Sequence, residues 1–432
     1  MDIKPFQGLY REILIITLLI TVNEMTTKSP LAPSKIPSLP ALEGVQLSTA
    51  ATAMKYQGRD DLLLVSMPGG ATAAGVFTTS KCFSAPVGWC RDILTSGRGA
   101  KAVLVNAGNA NAFTGQAGDE AMESNVDAVS SALGCDKSQV YVASTGVIGE
   151  VLDANLINDH VKKAASTLAP DIWQAAACAI LTTDTFEKVA TRTAEVNGKT
   201  VTINGITKGS GMIAPDMATM LGFIFTDAAI DASVLQSLLH QTCDKSFNSI
   251  TVDSDTSTSD TVLLFATGKE NSISDIDDPN LDDFKEKLAD LMLDLSHQIV
   301  RDGEGASKFI TINVTGAEND IAAKRIGLCV ANSPLVKTAI AGEDANWGRI
   351  VMAVGKAGEQ ADRDKLNIHI GGQKVTENGL AIDGYNEDHC TAHFKGQEID
   401  LSIDVGIADG SATVWTCDLT HGYITINADY RS

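Results

Sequence analysis

Apolar positions along this chain fall into two alternating patterns, short continuous runs and helical spacings. Residues 102–106 read as a buried strand entering a Gly/Asn-rich turn, and 120–133 as an amphipathic helix. A strand over 140–143 stops at Ser-Thr-Gly, and helices follow over 152–166 and the Ala-rich 172–181. Residues 190–196 and 199–206 flank Asn197-Gly198, the strongest short hairpin signal. The second hairpin strand feeds directly into Lys208-Gly209. Beyond it the pattern predicts a buried strand over 220–226, a helix over 233–246, a strand over 261–266 and a long helix over 281–300. A strand over 309–314 and mainly helix over 319–341 follow, then an apolar stretch at 350–354. From residue 366 short β-runs dominate, through 399–405, 412–419 and 422–426. No period of 20–50 residues appears, which excludes a solenoid. The fold class is α+β with mixed sheets.

Composition narrows the function classes. The chain is 44% hydrophobic and 20% charged, ordinary for a globular enzyme. Its 33 basic and 54 acidic residues give a net charge of −21, which opposes nucleic acid and anionic membrane as partners. The eight cysteines form no Cys-x-x-Cys pair, and several, such as Cys178 and Cys329, sit in apolar segments. Buried reduced thiols of a cytoplasmic protein are expected. Residues 13–22 form an apolar run too short to span a bilayer. Acidic flanks and the lack of an Ala-x-Ala-like site argue against a signal peptide, so residues 1–24 read as a dispensable extension. Residues 26–44, rich in Thr, Ser and Pro, read as a leading arm.

The most informative stretch is 208–221, Lys-Gly-Ser-Gly-Met-Ile-Ala-Pro-Asp-Met-Ala-Thr-Met-Leu. It carries Thr219 into the start of a buried strand. A threonine hydroxyl is a weak nucleophile unless a base adjoins it. Cutting the chain before Thr219 frees its α-amine to be that base, and such an amine titrates near ~7.7–8.0. The same spacing also fits an ordinary loop entering a core strand. Gly209-Ser210-Gly211-Met212-Ile213-Ala214 matches a dinucleotide pattern, but Pro215 and a β-like run follow instead of a helix. His389 and His393 lie four apart, a metal-compatible spacing on a helix, yet the surroundings read as loop and strand. Thr145-Gly146 ends a strand in a tight turn, where a hydroxyl and backbone N–H groups can point into a cleft.

Residues 208–221 resemble the self-cleavage segment of the ornithine acetyltransferase family, also called glutamate N-acetyltransferase. The resemblance recurs in Val-Asn-Ala-Gly-Asn-Ala-Asn-Ala at 105–112, Ser-Thr-Gly-Val-Ile-Gly at 144–149 and Leu-Thr-Thr-Asp-Thr-Phe at 181–186. It continues through Thr-Val-Asp-Ser-Asp-Thr-Ser-Thr at 251–258, Gly-Glu-Asp-Ala-Asn-Trp-Gly-Arg at 342–349 and Asn-Ala-Asp-Tyr-Arg-Ser at 427–432. The resemblance implies a layered α/β/β/α sandwich of the N-terminal-nucleophile kind, cut between Ala218 and Thr219. It implies an extension (1–30), an alpha chain (31–218) and a beta chain (219–432), assembled as a heterotetramer of two of each. It implies Thr219 as nucleophile, Thr145 and Gly146 as the oxyanion hole, and Thr182, Lys208, Glu343, Asn427 and Ser432 as substrate contacts alongside Thr219. The implied reaction moves acetyl from N-acetylornithine to glutamate with no metal or organic cofactor. Acetyl-CoA as a second donor stays open, as does an amidase or aminopeptidase of similar fold. Ser254 stands where the family usually has Gly, and Ser259 where Asn is common; Ser254 is tolerable if the backbone there is ordinary.

Overall fold

The computed structural model describes residues 28–214 and 220–428. Its first sheet contains β1 (Gln46–Ala50), β2 (Leu62–Phe77), β3 (Ala100–Asn109), β4 (Val140–Val147), β5 (Lys188–Val196), β6 (Lys199–Lys208), β7 (Leu221–Thr226) and β8 (Thr261–Ala266). The strand order is β4-β3-β2-β8-β7-β6-β5, with β1 also on β2. The pairs β3–β4 and β7–β8 are parallel and the others antiparallel, so the sheet is mixed.

β2 makes one sheet into two layers. Its first half pairs with β1 and β3, its second half with β8, and the register breaks between Ser66 and Ala71. The strand period of two then sorts the side chains. Phe223, Phe225, Leu263 and Phe265 share a core with residues 62–65 and 103–105. The alternate residues Ile224, Val262 and Leu264 pack with the helices Ala232–Lys245 and Asp282–Arg301. Helices Ala85–Thr95, Gly115–Leu133 and Ala154–Ser166 contribute to the core on the other side. The result is an α/β/β/α sandwich. Phe225 stacks on Phe265 at 5.3 Å, and Trp173 and Tyr141 meet these rings edge-on at 5.5 Å. Burial on both faces explains why 221–226 and 261–266 read as continuous apolar runs.

A second, six-stranded sheet contains β9 (Phe309–Ala317), β10 (Asn367–Ile370), β11 (Gln373–Glu377), β12 (Leu380–Ala381), β13 (Glu398–Asp404) and β14 (Gly410–Cys417). Helices Asp320–Ala331, Pro334–Ala341 and Gly348–Gly355 share its core. The long helix touches both bodies: His297 packs its ring against Phe309 and Trp415 at 5.2 and 4.7 Å.

The Asn197-Gly198 hairpin forms as expected, with φ of 51° and 71° at its two turn residues. The expected helix over 319–341 is two helices, because Ser333 caps Val336 N–H and Pro334 starts a new one. Residues 422–426 are helical rather than β, within His421–Ala428; a short apolar run does not distinguish the two. His389 and His393 also lie on a helix, Glu387–Phe394, not on loop and strand. His393 Nε2 accepts the Asp400 N–H at 2.9 Å, and no group of three metal-capable side chains occurs among the described residues. All eight cysteines are free, but Cys82 and Cys178 are exposed; Cys178 lies on the outer side of its short helix. No helix among the described residues is long and apolar enough to cross a membrane.

Phe225 is fully buried at the centre of the aromatic stack. Phe225→Ala should lower stability by about 3–5 kcal/mol, read as a shifted midpoint in urea denaturation. A shift below about 1 kcal/mol would mean that the two layers do not depend on this stack.

Candidate active site

β6 and β7 are antiparallel neighbours with Lys208 opposite Leu221. Residues 209–220 therefore join the adjacent ends of two core strands. The described part of this connection is clamped from outside. Asp253 accepts the N–H groups of Met212 and Ile213 at 2.6 and 2.9 Å and the Tyr423 hydroxyl at 3.2 Å. Val252 N–H and Thr251 Oγ1 donate to the Ile213 carbonyl at 2.8 and 2.9 Å. At the other end Asp260 Oδ1 accepts Met220 N–H at 2.9 Å. Asp260 is fully buried, and burial holds its carboxyl well above the ordinary range.

On the facing layer, β3 and β4 run parallel, with Thr145 opposite Ala107 and Gly146 opposite Gly108. Gly146 has φ 134°, and a Cβ there would collide with the backbone of Gly108 and Asn109. Only glycine lets the two strands approach where Thr145 meets the cleft.

Between these elements lies a cleft of about 250 Å³, lined by Thr145, Gly146, Thr182, Lys208, Glu304 and Asn427 among others. Lys208 is buried, and its Nζ donates to Thr182 Oγ1 at 2.7 Å and Thr145 Oγ1 at 3.3 Å. Asp184 lies 3.9 Å from the same ammonium. Burial pulls the Lys208 ammonium below its ordinary value, and Asp184 opposes that fall. Burial alone would raise Asp184, but Lys188 and Lys208 outweigh it and hold the carboxyl below the carboxylate range. Lys188 completes a buried cluster, with Nζ 2.7 Å from Asp184 and 2.6 Å from Asp302.

Glu304 enters the cleft from the turn after the long helix. It accepts Asn427 Nδ2 at 2.7 Å and abuts Gly211, where any Cβ would strike its carboxyl. Burial raises its carboxyl, against the opposing bond from Asn427.

Thr145, Gly146, Thr182, Lys208 and Asn427 thus meet in one cleft. Glu343 stands apart. It is exposed, takes φ 59°, and pairs with Lys308 at 3.6 Å rather than lining the cleft. Ala218, Thr219 and Ser432 lie outside the described residues. Sequence reasoning missed Glu304, Asp184, Asp253 and Asp260. Asp184 and Asp253 lay inside quoted motifs without a role, while Glu304, in Asp-Gly-Glu-Gly just past a 20-residue helix, carried only its flanking glycines as a signal.

The sequence model of the ArgJ family matches residues 46–432. This chain belongs to the ArgJ family. The arginine biosynthesis bifunctional protein ArgJ of Agrobacterium fabrum is 55% identical over 409 residues, covering 94% of this chain and 99% of that one. Among solved structures, the ArgJ of Bacillus halodurans is 40% identical over 48% of this chain and 97% of its own, with TM-score 0.46. Ornithine acetyltransferase of Mycobacterium tuberculosis, solved with ornithine, is 30% identical over 44% of this chain and 95% of its own, with TM-score 0.35. In this ArgJ-family chain Ser254 has φ 69°, so the backbone there is not ordinary and the serine sits in left-handed geometry. Ser259 lines the cleft beside Ser257 and Thr258.

Because burial raises Asp260, the folded chain keeps a proton that the unfolded chain releases near pH ~4. That contribution is complete below the unfolded value and is lost as pH rises through the folded one. Asp260→Asn keeps the Oδ1 acceptor but cannot titrate. Its denaturation midpoint should therefore gain on wild type as pH climbs from about 4 to 8. A difference independent of pH would mean that Asp260 titrates alike in both states.

Proposed function

We propose that this chain is an acetyltransferase of arginine biosynthesis, moving acetyl from N-acetylornithine to glutamate through an ester on Thr219. Its ArgJ membership and the name of its 55% identical relative support the pathway. The word bifunctional in that name supports acetyl-CoA as a second donor. The observation that carries the chemistry is the single cleft in which a strand-end Thr-Gly pair, a buried lysine and a buried acid converge beside the β6–β7 connection.

In the proposed maturation, Thr219 Oγ adds to the Ala218 carbonyl, the C–N bond breaks, and the freed amine takes up the proton. Water then hydrolyses the ester, leaving chains 1–218 and 219–432. Each keeps one strand of the β6–β7 pair, so both stay in one sheet. In turnover the Thr219 amine takes the hydroxyl proton as Oγ attacks the acetyl carbonyl. Thr145 O–H and Gly146 N–H hold the oxyanion. Ornithine leaves with the proton, and the glutamate amine attacks the acetyl ester to give N-acetylglutamate. Lys208 and Thr182 meet the substrate carboxylate end, with Asn427 and Ser432 closing the site. We assign the contact with the cationic side chain of ornithine to Glu304 rather than Glu343, since Glu304 faces the cleft. The enzyme is read as cytoplasmic, a heterotetramer of two alpha and two beta chains.

Intact-mass measurement should find a chain beginning at Thr219, and Thr219→Ala should give one uncut, inactive chain. Efficient cutting of that variant would remove the hydroxyl mechanism from consideration. Brief exposure to N-acetylornithine alone should add one acetyl mass to the Thr219 chain, and glutamate should remove it.

The two acids separate in kinetics. Glu304→Gln should raise KM for N-acetylornithine by about 10- to 100-fold, the worth of a bond to a charged group. Glu343→Gln should leave KM within about twofold. The reverse ranking would return the contact to Glu343.

A further inference from the structure

The hydrogen bonds of Lys208 carry more than a substrate contact. An ammonium has three donors and no acceptor. With Nζ at 2.7 Å from Thr182 Oγ1 and 3.3 Å from Thr145 Oγ1, both hydroxyl oxygens must accept, and each keeps its own proton for another partner. Thr145 is buried and lines the cleft. A hydroxyl free to rotate would spend part of its time turned away from the reacting oxygen. One whose lone pair is occupied by a cation on one side has its donor side restricted.

The cation is itself held. Asp184 Oδ1 accepts Lys188 Nζ and Gly209 N–H, each at 2.7 Å, and its Oδ2 accepts Thr182 N–H at 3.0 Å. One carboxylate thus fixes the residue after Lys208, the backbone of the threonine Lys208 touches, and the ammonium itself at 3.9 Å.

We propose that Lys208 organises the oxyanion hole, occupying the acceptor side of Thr145 Oγ1 so that the Thr145 proton is presented to the developing oxyanion, and that Asp184 is the positioning residue holding Lys208 there. This rests on the reading of Thr145 as an oxyanion donor. The positive charge behind the hydroxyl strengthens the bond it gives in a site shielded from water. Deprotonation of Lys208 would undo the arrangement, because a neutral amine accepts and can draw the Thr145 proton toward itself. Burial disfavours the ammonium and Asp184 favours it; Lys188 opposes it, and Glu304 and Asp260 favour it only in their charged forms. Removing the charge of Asp184 therefore makes the ammonium easier to lose.

A double-mutant cycle on the full chain tests this, with kcat normalised to cut chains. Thr145→Ala and Lys208→Met should each lower kcat by roughly 10- to 1000-fold. The double variant should fall no more than about threefold below Thr145→Ala, because the lysine has nothing left to orient. Multiplicative losses would overturn the role of Lys208 while leaving the oxyanion reading intact. An unchanged kcat in Thr145→Ala would defeat that reading itself. Asp184→Asn carries the same cycle if Lys208→Met does not fold. It should lower kcat and move the alkaline limb of the kcat profile to lower pH, both only where Thr145 is present. A profile and kcat equal to wild type would remove Asp184 as a positioning residue. For any variant that is cut slowly and incompletely, the same cycle is read on the rate of chain cutting, with the same two outcomes.

Discussion

One buried ammonium shared by two carboxylates holds the site together. Lys188, at the start of β5, lies between Asp184 and Asp302, and the side chains of all three are closed to solvent. Such a cluster is costly to assemble, and removing one member typically costs about 3–5 kcal/mol because the others lose compensation. Asp302 also accepts from the Thr185 N–H at 2.8 Å, which ties the loop before β5 to the end of the long helix. Asp184 reaches on to Gly209. The segments that carry Thr182, Lys208 and Glu304 are therefore set by one set of charges, and the polar wall of the cleft inherits its rigidity.

Around that cluster the backbone comes unusually close in two places. Gly146 lies against Gly108 and Asn109, and Gly211 lies against the Glu304 carboxyl. Both contacts are between elements far apart in sequence. Each replaces a side chain by backbone where a polar group must enter the cleft, so the glycines fix the depth of the site.

The apolar runs of β3, β4, β7 and β8 were readable in advance because both of their faces are buried. β2 was not. Pro68-Gly69-Gly70 interrupts it, and in sequence these residues look like a turn, although in the fold they are the corner at which one sheet becomes two layers. The helix His421–Ala428 read as β, since Tyr423 and Asn427 are turned to polar partners, Asp253 and Glu304, and leave no helical stripe. Thr145, Gly146, Thr182 and Lys208 were found through motif resemblance, not through periodicity. Glu304 was missed for a physical reason. An acid between glycines looks like a solvated turn until the Lys188 cluster is seen to pull that turn inward.

Under the proposed cleavage, the register of β6 and β7 also bears on how the molecule ages. In one continuous chain, pairing Lys208 with Leu221 closes a short loop and is entropically cheap. If the connection is cut as proposed, the same pairing would become an encounter between two separate polypeptides. Its formation would then depend on concentration, while the folded assembly would still be held by the core the two layers share. Such a protein can be far easier to make than to remake. It would persist through slow unfolding rather than through reversible balance, and a heated, diluted sample would have little route back.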